Sequence, residues 1–174
     1  MPVKLCYMGN TFINSSDYQG RLKEVTQCGA ELIGDGSIGA DAEILAMACD
    51  SLLECGLKNF QLSVGHSQFF SGLVDAAKLD LEQETELREL ILNKNFFGVE
   101  EFVDNMNITN ELKELFMLLG NFDSNSEDLK NAKAKAKNYP LVYDAIDSLE
   151  RLSKYLDIYE INKYISFELG LISN

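Results

Sequence analysis

A strand–loop–strand pattern over residues 4–34 constrains the fold of this chain more than any other stretch. Alternation with a period of two over residues 3–12 predicts a β-strand. Loop-forming residues follow at 14–20, and a second strand is predicted over 21–33. Two strands joined by one short loop pair in an antiparallel manner, so the chain is expected to begin with an antiparallel sheet segment.

The second predicted strand has one unusually polar face. Residues two apart in a strand share a face. The face in question carries Arg21, Lys23, Val25, Gln27, Gly29, Glu31 and Ile33. Gly29 is expected to leave an open space between Gln27 and Glu31, and glycine inside a strand often marks the close approach of a ligand or another backbone. The opposite face is small and apolar from Thr26 onward, which suits packing against a helix.

These polar residues match the chemistry of a zwitterion or an anion. Glu31 can accept hydrogen bonds from an ammonium or imidazole group, and Gln27 can donate and accept. Arg21 and Lys23, nearer the loop, can pair with a carboxylate or phosphate. The alternative is the solvated face of a half-exposed antiparallel sheet, where alternating polar residues are normal. Spacing alone favours this alternative.

The remainder of the chain changes in character. A helix is predicted over 41–55, a short strand over 60–64 and a helix capped by Ser67 over 67–77. Helices are then expected near 82–93, 97–105, 109–119, 125–136 and 140–156, before a strand over 164–169 that returns to the first sheet. The last helix has Pro140 in its first turn, i,i+4 ion pairs Asp147–Arg151 and Glu150–Lys154 on its solvent side, and an apolar stripe of Val142, Ala145, Leu149, Leu152 and Leu156. The fold class is therefore predicted as α+β, with a core segment at 1–78, a helical insertion at 79–158 and a returning strand within 159–174.

Charge and hydropathy exclude several classes of function. The chain has 15 basic and 28 acidic residues and a net charge of −13. Because nucleic-acid binders normally present a basic face, nucleic acid is not the expected partner. No apolar run approaches the ~18 residues of a membrane span, and residues 1–10 lack the pattern of a signal peptide. We therefore expect a cytoplasmic protein without membrane contact.

The cysteines and the single histidine do not form a metal-binding pattern. Cys6, Cys28, Cys49 and Cys55 include no C-x-x-C pair, and His66 is the only histidine. We predict no metal site and no cofactor, and expect the cysteines to be buried as small apolar residues. A lone histidine without an identified partner is more often structural, so His66 is assigned no role.

The stretch 4–34 also resembles motif 2 of the histidyl-tRNA synthetases, a family of class II aminoacyl-tRNA synthetases. The resemblance is carried by Gly9, Phe12, Gln19, Gly20, Arg21, Gln27, Gly29, Glu31 and Gly34, and continues through Asp41, Ala42 and Glu43. It implies part of the antiparallel class II sheet with packed helices, followed by an all-helical insertion. In that family, residues matching Gln27 and Glu31 contact histidine, and the residue matching Arg21 lies beside the phosphates.

Two departures affect the ATP end of this motif. The arginine that grips the α-phosphate of ATP in the synthetases corresponds to Ile13, and an acidic residue corresponds to Ser15. Isoleucine offers a phosphate neither a positive charge nor a hydrogen-bond donor, so the resemblance implies that adenylate formation is severely impaired. The later synthetase motifs and motif 1 are absent from the sequence. We therefore expect part of a longer protein, with an open sheet edge covered by a partner chain or by a second copy in a homodimer.

This combination is similar to the synthetase-like regulatory subunits of ATP phosphoribosyltransferase. That family lacks aminoacylation and regulates the first step of histidine biosynthesis allosterically, in a hetero-oligomer with the catalytic subunit and with histidine as feedback inhibitor. The resemblance implies no catalytic residue, a histidine-like pocket at Gln27 and Glu31, and anion-flanking roles for Arg21 and Lys23. A divergent histidyl-tRNA synthetase is the second hypothesis, and an interaction domain built on the acidic helices 79–156 is the third.

Overall fold

The computed structural model describes residues 1–14, 22–120, 122 and 126–172, and four strands and seven α-helices occur in this part of the chain. In chain order these are β1 (Val3–Phe12), β2 (Glu24–Ile33), α1 (Ile38–Glu54), β3 (Leu62–Val64), α2 (Ser67–Ala77), α3 (Leu81–Leu92), α4 (Phe96–Asp104), α5 (Asn110–Met117), α6 (Ser126–Lys135), α7 (Pro140–Ile158) and β4 (Ile165–Phe167). The mixture of helices and strands confirms the predicted α+β class. The predicted polar loop at 14–20 lies almost entirely outside the described residues.

Strands β1 and β2 form the predicted antiparallel hairpin. The register pairs Val3 with Ile33 at the open end and Phe12 with Glu24 near the loop. The pairing continues one step beyond the strands, where the Ile13 N–H donates to the Lys23 carbonyl at 2.8 Å. This register fixes which side chains share a face, since directly opposed residues project to the same side of an antiparallel pair.

The last strand returns to the first part of the chain at a different place from the one expected. β4 pairs with β3 in parallel, Ser166 opposite Ser63, and among the described residues these two strands form a sheet separate from the hairpin. Rings of Phe60 and Tyr164 stack beside this sheet with their centroids 4.6 Å apart. The strand expected over 164–169 is thus present, but the prediction that it joins the first sheet is wrong, because a strand of three residues carries too little pattern to specify its partner.

Helix α7 organises a single hydrophobic core. Its buried residues are Val142, Ala145, Ile146, Leu149, Leu152 and Leu156, which include all five members of the predicted apolar stripe. The helix packs against α1, α2 and α6. Fully buried Phe69 and Leu73 of α2 and Phe116 of α5 belong to the same core. The hydrophobic core therefore runs across the boundary predicted at residue 78.

Ion pairs join α6 to the solvent-facing side of α7. Lys133 Nζ lies 2.6 Å from Asp147 Oδ1 and 2.7 Å from Glu150 Oε2, and Lys154 Nζ lies 3.1 Å from the other oxygen of Glu150. The hydrogen bonds from Lys133 and Lys154 lower the pKa of Glu150. The Glu150–Lys154 pair was predicted from the sequence. The predicted partner of Asp147, Arg151, is replaced by Lys133 from the neighbouring helix.

The first two helices begin with capping residues that the sequence interpretation did not identify. The first helix begins at Ile38 rather than residue 41, because the Ser37 hydroxyl caps it by accepting from the Ala40 N–H at 3.3 Å. The predicted cap of the second helix, Ser67, is its first residue. His66 is the cap instead, with Nδ1 accepting from the Gln68 N–H at 3.3 Å. Only a ring nitrogen without a proton can accept this bond, so capping requires the neutral imidazole.

We expect the pKa of His66 to lie below 6.5, because burial disfavours the imidazolium and outweighs the opposing field of Asp41. The chemical shift of the single histidine in a proton NMR titration measures this directly. Since the folded-state pKa is the lower one, the unfolded chain takes up the proton first. Stability should therefore be full above about pH 6.5 and fall as the pH drops from there towards the folded-state pKa.

The matched variant is His66→Asn, which keeps a side-chain acceptor for the cap and removes the titration. It should unfold with a shallower dependence on pH in this window. A His66 pKa at or above 6.5, or an equal pH dependence in the variant, would contradict the assignment.

Candidate functional site

The predicted polar face of β2 lies on an exposed sheet surface. Gln27 is opposite Gly9 and Glu31 is opposite Leu5, and both polar side chains are solvent-exposed. With a rise of about 3.4 Å per residue, the four-residue step separates their Cα atoms by roughly 14 Å. A small amino acid could contact both only by lying along the strand between them.

Tyr7 occupies the interval between these two residues, which the sequence interpretation missed. Tyr7 is opposite Gly29, and a Cβ atom added to Gly29 would lie 2.5 Å from both Cζ and Oη of the tyrosine. The expected open space beside Gly29 is therefore wrong, because the phenol ring lies across the glycine. The signal was present in the sequence, since an aromatic residue opposite a strand glycine is a recurrent cross-strand arrangement.

The opposite face of the hairpin contacts α1 at one end. Lys4 Nζ forms an ion pair with Glu43, and this hydrogen bond raises the pKa of Lys4. Ala30 and Leu32 line a small cavity of about 180 Å³ together with Ile44 and Met47 of the helix. The predicted packing of this small apolar face under the first helix is thus seen at the open end of the hairpin.

Much apolar surface on the hairpin remains uncovered. Leu5 is 53% exposed, Met8 82% and Phe12 76%. Cys6 and Cys28 are exposed as well, and so is Cys55 at the end of α1, so the prediction that these three are buried is wrong, whereas Cys49 in α1 is buried as expected. For the two strand residues the reason is geometric, because the helix covers only one end of the ribbon.

The loop end of the face is partly described. Ile13, at the position of the phosphate-gripping arginine in the resemblance, lies just after β1 and is 58% exposed. Lys23 lies opposite it across the hairpin, joined through the backbone hydrogen bond described above. The predicted anion-flanking residue Arg21, and Ser15, fall outside the described residues. The structure therefore brings Gln27, Tyr7 and Glu31 onto one face and has Lys23 at its loop end.

A larger cavity lies away from this face. Its volume is about 470 Å³, and it opens between the first turns of α1 and α2 and the middle of α7. Asp41, His66 and Ser148 contribute polar atoms to its wall. The cap bond uses Nδ1 of His66, which places the proton of the neutral ring on Nε2. The sequence indicated only that Gly65 and His66 end a strand before a helix.

The geometry of the hairpin face permits one wall of a binding site. Within the described ranges, no group of three or more histidine, cysteine, aspartate or glutamate side chains is arranged to hold a metal ion. None of the helices described is long and apolar enough to cross a membrane. An amide, a phenol and a carboxylate along one strand pair can together orient a polar ligand through several directed hydrogen bonds.

Comparison with known proteins gives a consistent result over the whole chain. A model of the family described as histidyl-tRNA synthetase matches residues 1–174. The chain is 34% identical over 176 residues to an ATP phosphoribosyltransferase regulatory subunit from Acetivibrio thermocellus, covering 99% of this chain and 41% of the relative. A protein of the same name from Thermoanaerobacter pseudethanolicus is 37% identical over 177 residues, covering 99% and 45%.

Solved structures agree on the fold. A crystal structure of an ATP phosphoribosyltransferase regulatory subunit/histidyl-tRNA synthetase from Bacillus halodurans superposes with a TM-score of 0.84 at 27% identity, covering 99% of this chain and 44% of that one. Histidyl-tRNA synthetase from Nostoc superposes with a TM-score of 0.76 at 14% identity, covering 98% and 41%. The second likeness shows the fold alone. It confirms the predicted class II synthetase-like architecture.

The chain spans less than half the length of the curated relatives it matches. Its sequence is nevertheless matched from end to end by one family model, and the two curated relatives described above carry the same name. The chain belongs to the histidyl-tRNA synthetase family, in which it is similar to the regulatory subunits of ATP phosphoribosyltransferase.

Proposed function

We propose that the full-length protein is a non-catalytic regulatory subunit of ATP phosphoribosyltransferase in histidine biosynthesis. In this role it binds the catalytic subunit and takes histidine as its regulatory ligand. The observation that carries the proposal is the match of 99% of this chain, at 34–37% identity, to curated proteins of that name. The alternative, a divergent histidyl-tRNA synthetase, is favoured only by the shared family and fold.

The exposed face of the hairpin supplies groups that suit histidine. Glu31 can accept from the ammonium or the imidazole N–H, and Gln27 can donate to or accept from the other polar end. Tyr7 lies between them and adds both an aromatic surface and a hydroxyl. At the loop end, Lys23 supplies positive charge for a carboxylate. In this proposal the described residues form one wall of the pocket.

Ile13 argues against the synthetase alternative. Adenylate formation requires positively charged protein groups beside the phosphates, because they stabilise the negative charge that develops in the transition state. An exposed isoleucine at the place of the arginine supplies no hydrogen bond and no charge. The proposed protein thus keeps groups for the amino acid and has lost one key group of the ATP end of the site, the arginine replaced by Ile13.

The function is tested by adding the purified full-length protein to the catalytic ATP phosphoribosyltransferase subunit of the same organism. Transferase activity should rise on addition, and histidine should lower the activity of the mixture. The proposal would be wrong if the catalytic subunit had the same activity with and without this protein and if the two proteins formed no complex on gel filtration.

The histidine site is tested with Glu31→Gln in the full-length protein. Loss of the carboxylate should weaken histidine binding about tenfold or more in isothermal titration calorimetry, which corresponds to about 1.4 kcal/mol. The control is Glu24→Gln on the same strand. Glu24 lies on the opposite face and accepts from Asn10 Nδ2 at 2.7 Å, a bond that glutamine can keep. Equal affinities of the two variants would exclude Glu31 from the site.

A further inference from the structure

A groove between α3 and α4 has an apolar floor and an acidic rim. Its volume is about 550 Å³. One stripe along each helix faces it, at three- and four-residue steps that place side chains on a single helical face. The lining residues are Gln83, Glu86 and Leu90 of α3, Asn95 at the turn, Gly98, Glu101, Phe102 and Asn105 of α4 or its end, and Met106.

The apolar and charged parts of the groove are separated by depth. Leu90, Phe102 and Met106 are half-buried and form the floor. Glu86 and Glu101, one from each helix, are exposed at the rim. The helices approach closely at Gly98, where an added Cβ would lie 2.7 Å from Leu90. This arrangement matches a long basic side chain, whose hydrocarbon stem covers apolar surface while its charged end stays at the edge.

Positive charge to balance this rim is lacking in the groove itself. None of its lining residues is basic, and within the described part of the chain neither Glu86 nor Glu101 has an ion pair. Arg88 of α3 is directed elsewhere, 3.0 Å from Glu84 and stacked over the Phe70 ring. Residues 80–104 contain eight acidic and two basic residues. The groove is therefore complementary to a cation.

An exposed aromatic side chain extends the surface. Phe97 is 77% exposed and lies one turn before Glu101 on α4. Aromatic residues beside charged groups are typical anchors of protein interfaces. An acidic surface of this kind repels nucleic acid and anionic membranes. Among macromolecules, a protein surface that presents lysine or arginine fits the groove best.

We infer that the α3–α4 groove is a docking site for lysine or arginine side chains of the catalytic ATP phosphoribosyltransferase subunit. The inference rests on the proposed function, which supplies the partner. A basic side chain of the partner lies over Leu90, Phe102 and Met106 and pairs with Glu86 and Glu101. The two carboxylates give the contact its orientation and its sensitivity to salt.

The experiment measures binding of the full-length protein to the catalytic subunit by calorimetry at low and high salt. The test variant is Glu86→Gln/Glu101→Gln, and the control is Asp75→Asn/Asp144→Asn. The control changes two exposed acidic residues outside the groove and alters the net charge equally. Equal thermal midpoints of all three proteins establish that the variants are folded.

The groove variant should bind at least tenfold more weakly than the wild type at low salt and lose much of the salt dependence. The control should stay within about twofold of the wild type, as expected for charges away from the contact. If the wild type binds and both variants bind equally well, the docking site is wrong and the proposed function stands. If the wild type itself does not bind the catalytic subunit, the proposed function fails and the docking site fails with it.

Discussion

Burial of one face of α7 is the interaction on which the rest of the structure depends. The six buried side chains between Val142 and Leu156 are withdrawn from water, and each large one contributes about 1.5–3 kcal/mol relative to an exposed position. Helices α1, α2 and α6 are placed by their contacts with this face. The β3–β4 pair is held in the same core through Ile165, Phe167 and Leu169. The short parallel sheet would be too small to persist without that support.

The hairpin depends on the core indirectly. It is attached to α1 at one end, by the Lys4–Glu43 ion pair and by contacts of Ala30 and Leu32 near Met47. Beyond that contact both faces carry exposed apolar side chains, and both outer strand edges are unpaired within the described residues. Because exposed apolar surface and open strand edges are usually covered in native assemblies, we expect further protein to pack on this ribbon. A binding pocket that uses this face of the hairpin would then be closed on its other side by the protein that covers the hairpin.

Elements with a strong local signal were predictable from the sequence. The stripe of α7 and the alternation of β1 follow directly from periodicity, and Pro140 at the first helical position marks a boundary. Contacts between elements were harder to predict, because spacing along the chain does not specify partners. Asp147 of α7 forms its ion pair with Lys133 of α6, and β4 pairs with β3.

In the candidate site, too, local patterns were predictable and contacts between elements were not. Strand geometry alone placed Gln27 and Glu31 on one face, and the register confirms this arrangement. Tyr7 was missed because its position depends on the register between the two strands and not on β2 alone. The α3–α4 groove was also beyond sequence patterns, since its floor and rim come from two helices whose relative placement is set by packing at Gly98.

The central claim is that this protein keeps an amino-acid site of the synthetase family without the chemistry of adenylation. Histidine-dependent exchange of pyrophosphate into ATP, measured on the full-length protein whose histidine binding has been verified by calorimetry, tests it most directly. The account predicts histidine binding with exchange no greater than in the absence of histidine. Exchange that rises with histidine concentration would contradict it and identify the protein as a working synthetase.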